Sequence, residues 1–227
     1  MTTPSPLYTT AIGRKFNADG SVRAFPGNTV IAYVTPAHAQ YAELLWAQGA
    51  LIGALGEILT PLPASSLHMT VFEGVTDATR RPEKWTRFLP VDAPLAETDA
   101  LMSRVVPGVP VPERIEMVFD YLGPGIEALG IRLRAADAAV ERALRDYRNA
   151  LADATGIRFP DHDQYVFHIS LAYRIIQADA AQTRAFDVVR GRIEARLRER
   201  FGVLRLGAPV LTFFEDMFAF PQVRAGR

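Results

Sequence analysis

Two short apolar runs about a hundred residues apart constrain this chain more than any other feature: "SSLHMTVFEGV", Ser65 to Val75, and "YVFHISLAY", Tyr165 to Tyr173. Each carries a histidine with a hydroxyl residue two positions on, His68 and Thr70 in the first, His168 and Ser170 in the second. The surroundings repeat as well. A β-branched run, a long helical pattern, a Pro-containing loop, the histidine strand, a helix and a further strand occupy roughly residues 29–123, and the order returns over roughly 131–220. Repetition at this scale is the mark of a duplicated unit. The expected fold is α+β: a single bilobal, pseudo-symmetric domain, with lobe one at about 29–123 and lobe two at about 131–220. Two antiparallel sheets would face each other across a cleft, with helices outside.

The elements can be placed from pattern alone. "TVIAYV" from Thr29 reads as a buried strand, and "ERIEMVFDYLG" and "ALGIRLRA" as two more. Pro36 suits a first helical position, opening the apolar stripe of "AHAQYAELLWAQGALIGALG". A second helix is expected from about Pro94 to Val106. "ADAAVERALRDYRNALADATG" predicts an amphipathic helix closed by Gly156, and "DAAQTRAFDVVRGRIEARLRERFG" a long Arg-rich one. Near the start, Asn17-Ala18-Asp19-Gly20 reads as a tight turn.

Composition narrows the function classes. The 227 residues are 49% hydrophobic and 22% charged, which fits a globular domain with a sizeable core. Acidic and basic residues balance at 25 each, so broad electrostatic capture of long duplex nucleic acid is not expected, and a phosphate partner would be recognised locally. Cysteine is absent, which excludes disulfides, thiol nucleophiles and Cys-ligated zinc and fits a cytoplasmic setting. "MTTPSPLYTT" lacks the features of a secretory signal, and no stretch predicts a membrane span. Lysine occurs only at Lys15 and Lys84, a usage that genomic bias explains as well as chemistry does.

Strand alternation gives the two motifs a chemistry. Ser66, His68, Thr70 and Phe72 share one face, while Leu67, Met69 and Val71 share the other; Val166, His168, Ser170 and Ala172 repeat the arrangement. Imidazole and hydroxyl lie about 6.6 Å apart along the strand at roughly 3.3 Å per residue, close enough to meet one tetrahedral anion. Two imidazoles that titrate near neutrality can serve as general base and general acid on opposite sides of a phosphorus centre. The hydroxyls can hold the non-bridging oxygens as charge builds there. Such a site needs no metal and no cofactor. A cleft that binds a nucleotide or RNA end without turning it over remains the alternative.

"SLHMTVF" and "FHISLAY" resemble the two H-x-[ST] signatures of the 2H phosphoesterase superfamily, whose members include RNA 2′,3′-cyclic phosphodiesterases. "GRKFNADGSVRAFPGNTV", "RRPEKW" and "FPDHDQYVFHISLAY" are similar to a bacterial branch of unassigned substrate. The resemblance implies a catalytic pair, His68 and His168, with Thr70 and Ser170 binding phosphate. It also implies hydrolysis of a cyclic phosphodiester, with a small cyclic nucleotide or an RNA terminus as partner; the chain is expected to work as a monomer.

Secondary candidates for substrate contact are Phe72 and Tyr165 as stacking surfaces, Tyr173 at the end of the second motif, and Arg174 for a further phosphate. Arg80 and Arg81 belong to the same class. His162, between Asp161 and Asp163, is expected in a turn that orients the cleft; adjacent loop residues make a weak metal site.

Overall fold

The protein is described by a computed structural model covering residues 6–123 and 127–221. Eight strands and four α-helices follow one another as β1 (Gly27–Tyr33), α1 (Tyr41–Leu55), β2 (Leu59–Pro61), β3 (His68–Thr76), α2 (Leu95–Val105), β4 (Ile115–Gly123), β5 (Ala128–Ala135), α3 (Ala138–Thr155), β6 (His168–Arg174), α4 (Ala180–Arg200), β7 (Val203–Leu206) and β8 (Val210–Phe214). No helix among the described residues is long and apolar enough to cross a membrane. The fold is the expected α+β architecture.

Helix ends follow local chemistry. Asp137 accepts the amide protons of Ala139 and Val140 at the start of α3, and Gly156 closes that helix at φ +70°. Asp179 and Gln182 form a reciprocal capping box at the start of α4. Helix α1 begins five residues later than Pro36 suggests. The backbone amide of Thr35 donates to His38 Nδ1 at 3.0 Å, and that turn delays the helix to Tyr41. At Gly20 the chain takes φ +81° in the predicted turn, with the Gly20 amide donating to the Asn17 carbonyl; a Cβ there would lie 2.6 Å from Thr60 Oγ1.

Strand pairing is antiparallel throughout, in the order β7-β4-β5-β6-β3-β1-β8, with the short β2 also on β6. It interleaves the two halves of the sequence. β4 lies between β5 and β7, and β8 lies beside β1. Two groups of strands result, β8-β1-β3 and β7-β4-β5-β6-β2, and among the described residues their strands join only through the pair Met69–Ile169. The expected two sheets are thus sutured at one point into one eight-stranded sheet, seven strands in a continuous path with β2 beside it.

Both Met69 and Ile169 are fully buried, as are Val71 and Leu171, and these residues pack into a core shared with all four helices. A smaller cluster forms where the N-terminal segment folds back: Phe16, Phe25, Tyr173, Ile175, Phe214 and Met217. That segment is tied to the end of β6 by the Thr9 amide on the Ile175 carbonyl and the Thr9 hydroxyl on the Arg174 carbonyl. It brings Arg14 and Lys15 to the cleft edge.

Candidate active site

The suture pairs the middle residues of the two motifs. Continuing the antiparallel register one step either way sets His68 toward Ser170 and Thr70 toward His168. All four side chains line one cavity of about 270 Å³. Their alternation partners Met69, Val71, Ile169 and Leu171 point into the core, as a period of two requires.

The imidazoles are held alike. His68 Nδ1 lies 2.7 Å from the Ser66 carbonyl oxygen and His168 Nδ1 lies 3.0 Å from that of Val166. A carbonyl can only accept, so each Nδ1 carries the proton and donates, leaving each Nε2 with its lone pair. Burial pushes His68 down to about 4; the Ser66 carbonyl opposes this and the charge of His168 adds to it. Burial also lowers His168, against the Val166 carbonyl and with help from Arg132, its partner across β5 and β6. Both shifts hold the rings neutral near pH 7. An anion between them would raise both pKa values.

A β-bulge in each motif decides what else reaches the cleft. In the β1–β3 pairing, Val30 faces Phe72 but Ile31 faces Thr70, so Val71 is the extra residue. In the β5–β6 pairing, Leu129 faces Ala172 but Gly130 faces Ser170, so Leu171 is the extra one. At Gly130 the strands approach so closely that a Cβ would lie 2.1 Å from the Ile169 carbonyl oxygen. Each bulge reverses the alternation beyond it. Glu73 and Tyr173, five residues after the two histidines, line the cavity as a result.

The reversal corrects the expected substrate contacts. Phe72, placed on the cleft face by simple alternation, is 1% exposed and packs edge-on to His162 at 6.1 Å. Arg174 follows cleft-facing Tyr173 and so turns outward, over the Phe186 ring at 5.6 Å. Tyr165, an odd number of residues before His168, lies behind the motif. It is buried, with the Arg148 guanidinium 3.9 Å from its ring centroid and its hydroxyl donating to the Thr70 carbonyl at 3.4 Å. Burial pushes that hydroxyl's pKa up. His162 sits in a 3₁₀ turn, buried against α3, its Nε2 3.2 Å from Asn149 Oδ1. Arg80 is taken up by Asp77 and the carbonyls of Val91 and Ala93. Of the secondary candidates, Tyr173 alone is brought to the cavity. Its oxygen accepts from Lys15 Nζ at 3.5 Å, and Phe16 packs on its ring.

Sequence reasoning passed over several cavity residues. Lys15 and Lys84 both line it, so the chain's only two lysines converge on one cleft. Their rarity beside so many arginines was the available signal. Glu73 was hidden by the bulge. Phe220 comes from the far end of the sequence: its ring lies 4.2 Å from that of His68, and its carbonyl accepts the Tyr33 hydroxyl at 2.5 Å.

Residues 15–125, which include the first motif but not the second, match the family described as "2H-phosphodiest: Domain of unknown function (DUF1868)". No curated protein matches the chain. Among solved structures, a conserved protein of unknown function from Agrobacterium tumefaciens strain C58 is similar, with a TM-score of 0.88 and 26% identity over 97% of this chain and 93% of that one.

Proposed function

We propose that this chain, whose first motif lies within the match to the 2H phosphodiesterase family model, is a 2H phosphoesterase that hydrolyses a cyclic phosphodiester, the 2′,3′-cyclic phosphate of a nucleotide or RNA end, with His68 and His168 as base and acid. One observation carries the reading: two imidazoles with the same Nδ1 tether, each set toward the other motif's hydroxyl, line one cavity.

The geometry suits the chemistry. A cyclic phosphate seated at the suture has its non-bridging oxygens within the span of Thr70 and Ser170, which donate as negative charge builds in the transition state. His68, whose burial and covering ring keep it neutral, is the base that takes a proton from water. His168 gains its proton when the anion binds and gives it to the departing ribose oxygen. The ring opens to a phosphate monoester, and the two histidines exchange protonation states.

The test is hydrolysis of a panel of 2′,3′- and 3′,5′-cyclic nucleotides by the wild type and by His68→Ala and His168→Ala. Each variant should lose roughly 10²- to 10⁴-fold in kcat. Full turnover by either variant would sink the mechanism. Nucleotide binding with no turnover anywhere on the panel would make the cleft a binding module.

A further inference from the structure

In the mechanism above, His168 gives its proton to the departing ribose oxygen. The ribose, and whatever precedes it in a strand, therefore lies on the His168 side of the cleft. The other side is closed, since the Phe220 ring centroid lies 4.2 Å from that of His68. Beyond His168 the sheet continues through β5 and β4.

Antiparallel pairing sets three side chains in one row there. His168 pairs with Arg132 on β5, and Arg132 pairs with Tyr121 on β4. Direct partners share a face of the sheet. It is the face away from the core, for the alternation neighbours Leu122, Ile131 and Leu133 are buried whereas Tyr121 is 39% exposed. A glycine makes room for the arginine: the Arg132 guanidinium lies over Gly123, where a Cβ would fall 2.9 Å from its central carbon. Its charge is felt by His168. Arg134, two residues on, extends the same face and is exposed. The ion pairs of this face belong to its far edge, where Arg114 and Arg205 hold Glu116, and none among the described residues takes Arg132 or Arg134. The acidic residue closest in sequence to Tyr121 is exposed Asp120, the extra residue of a bulge in β4.

An unpaired guanidinium beside an exposed ring is what a single nucleic-acid strand requires. The planar fork grips a phosphate, and an aromatic face stacks a base of any identity. Strands about 4.8 Å apart put Tyr121 roughly 10 Å from His168, too far for a group on the reacting phosphate and within reach of the preceding nucleotide. Resting on the hydrolase reading above, we propose that the substrate is the 3′ end of a single-stranded RNA and that this face is its platform. Arg132 holds the phosphodiester linking the last nucleotide to the one before, and Tyr121 stacks the base of that earlier nucleotide. A free cyclic mononucleotide fills the cavity and leaves the platform bare.

The experiment compares adenosine 2′,3′-cyclic monophosphate with an adenosine tetranucleotide that ends in the same cyclic phosphate. Wild type should show a kcat/KM roughly 10- to 100-fold higher for the tetranucleotide. The quantity read is the ratio of the two, so a variant that only weakens the chemistry or the fold lowers both values and leaves the ratio alone. Tyr121→Ala should cut the ratio roughly 5-fold or more, while Tyr121→Phe keeps it. Arg132→Gln should cut it as well. In a His68→Ala background, where turnover is suppressed, Arg132→Gln should reduce the slope of log Kd on log salt for the tetranucleotide by about 0.7, one phosphate contact on a single strand. Equal handling of both substrates by wild type, or a ratio unchanged in Tyr121→Ala and Arg132→Gln, overturns the platform and leaves the hydrolase standing. Selective binding of the tetranucleotide without turnover supports the platform and removes the hydrolase. Binding of neither compound removes both.

Discussion

At the scale of single residues, the two imidazoles owe their readiness to a short tether and a dry setting. Each Nδ1 is committed to a carbonyl two residues back, so neither ring can swap tautomers without losing that bond. Dryness has a cost in acid. Burial pushes His68 in the folded chain down to about 4, below the ordinary 6.5 it keeps when unfolded, so between those values the unfolded chain binds more protons. The contribution of His68 to stability is fully present above about pH 6.5, declines as pH falls through that window, and is gone below about 4. Its size is on the order of 2 kcal/mol once the open side of the cleft is allowed for. Urea midpoints measured from pH 7 to 4.5 should fall less steeply in His68→Gln than in wild type. Parallel slopes would mean that His68 is not held neutral by burial.

At the scale of elements, the paired bulges are the feature that shapes the cleft, and a buried arginine serves the first of them. Arg148 on α3 is 1% exposed, and its Nη1 donates to the Val71 carbonyl at 2.6 Å, the carbonyl of the extra residue itself. Arg148→Met removes that donor and leaves the oxygen unpaired. Stability should drop by about 1–3 kcal/mol, and kcat should fall more than KM rises, because Thr70 is displaced and no ligand contact is removed. Urea unfolding beside steady-state kinetics checks both; an unchanged kcat would show that the bulge needs no support from α3.

The same scale explains what could be read from the sequence. Helix α3 was legible because Gly156 marks its end and its apolar stripe is regular, while its cap at Asp137 is seen only in the structure. The motifs were legible because they recur. The bulges were not, since Val71 and Leu171 are ordinary strand residues and a register shift depends on the partner strand. That one omission sent Phe72 to the cleft on paper and kept Glu73 out of it. Nor does alternation within β4 or β8 say which half of the chain either will pair with.

For the whole molecule, the site is closed by parts far apart in the sequence. The segment after β8 crosses back so that Phe220 covers His68 and packs at a tilt against Phe214 with centroids 5.0 Å apart, held by the Tyr33 and Thr212 hydroxyls on the carbonyls of Phe220 and Pro221. Phe220→Ala should let water reach the imidazole and raise its pKa from about 4 toward 6.5. A titration of the four histidine Cε1–H resonances would follow it, and a His68 resonance that does not move would assign the dryness to the surrounding strands alone.

The Tyr33–Phe220 bond joins residues 187 positions apart, and Thr9–Arg174 joins residues 165 apart. Contacts of such span form only after the intervening chain has collapsed, because closing long loops costs entropy before anything is gained. The helices and the β4–β5 hairpin can form early from local contacts, whereas the wall over His68 comes last. During refolding, native-like secondary structure should therefore precede a shielded His68, and the chain would pass through a stage that looks folded by its backbone but whose first imidazole still titrates like a free one.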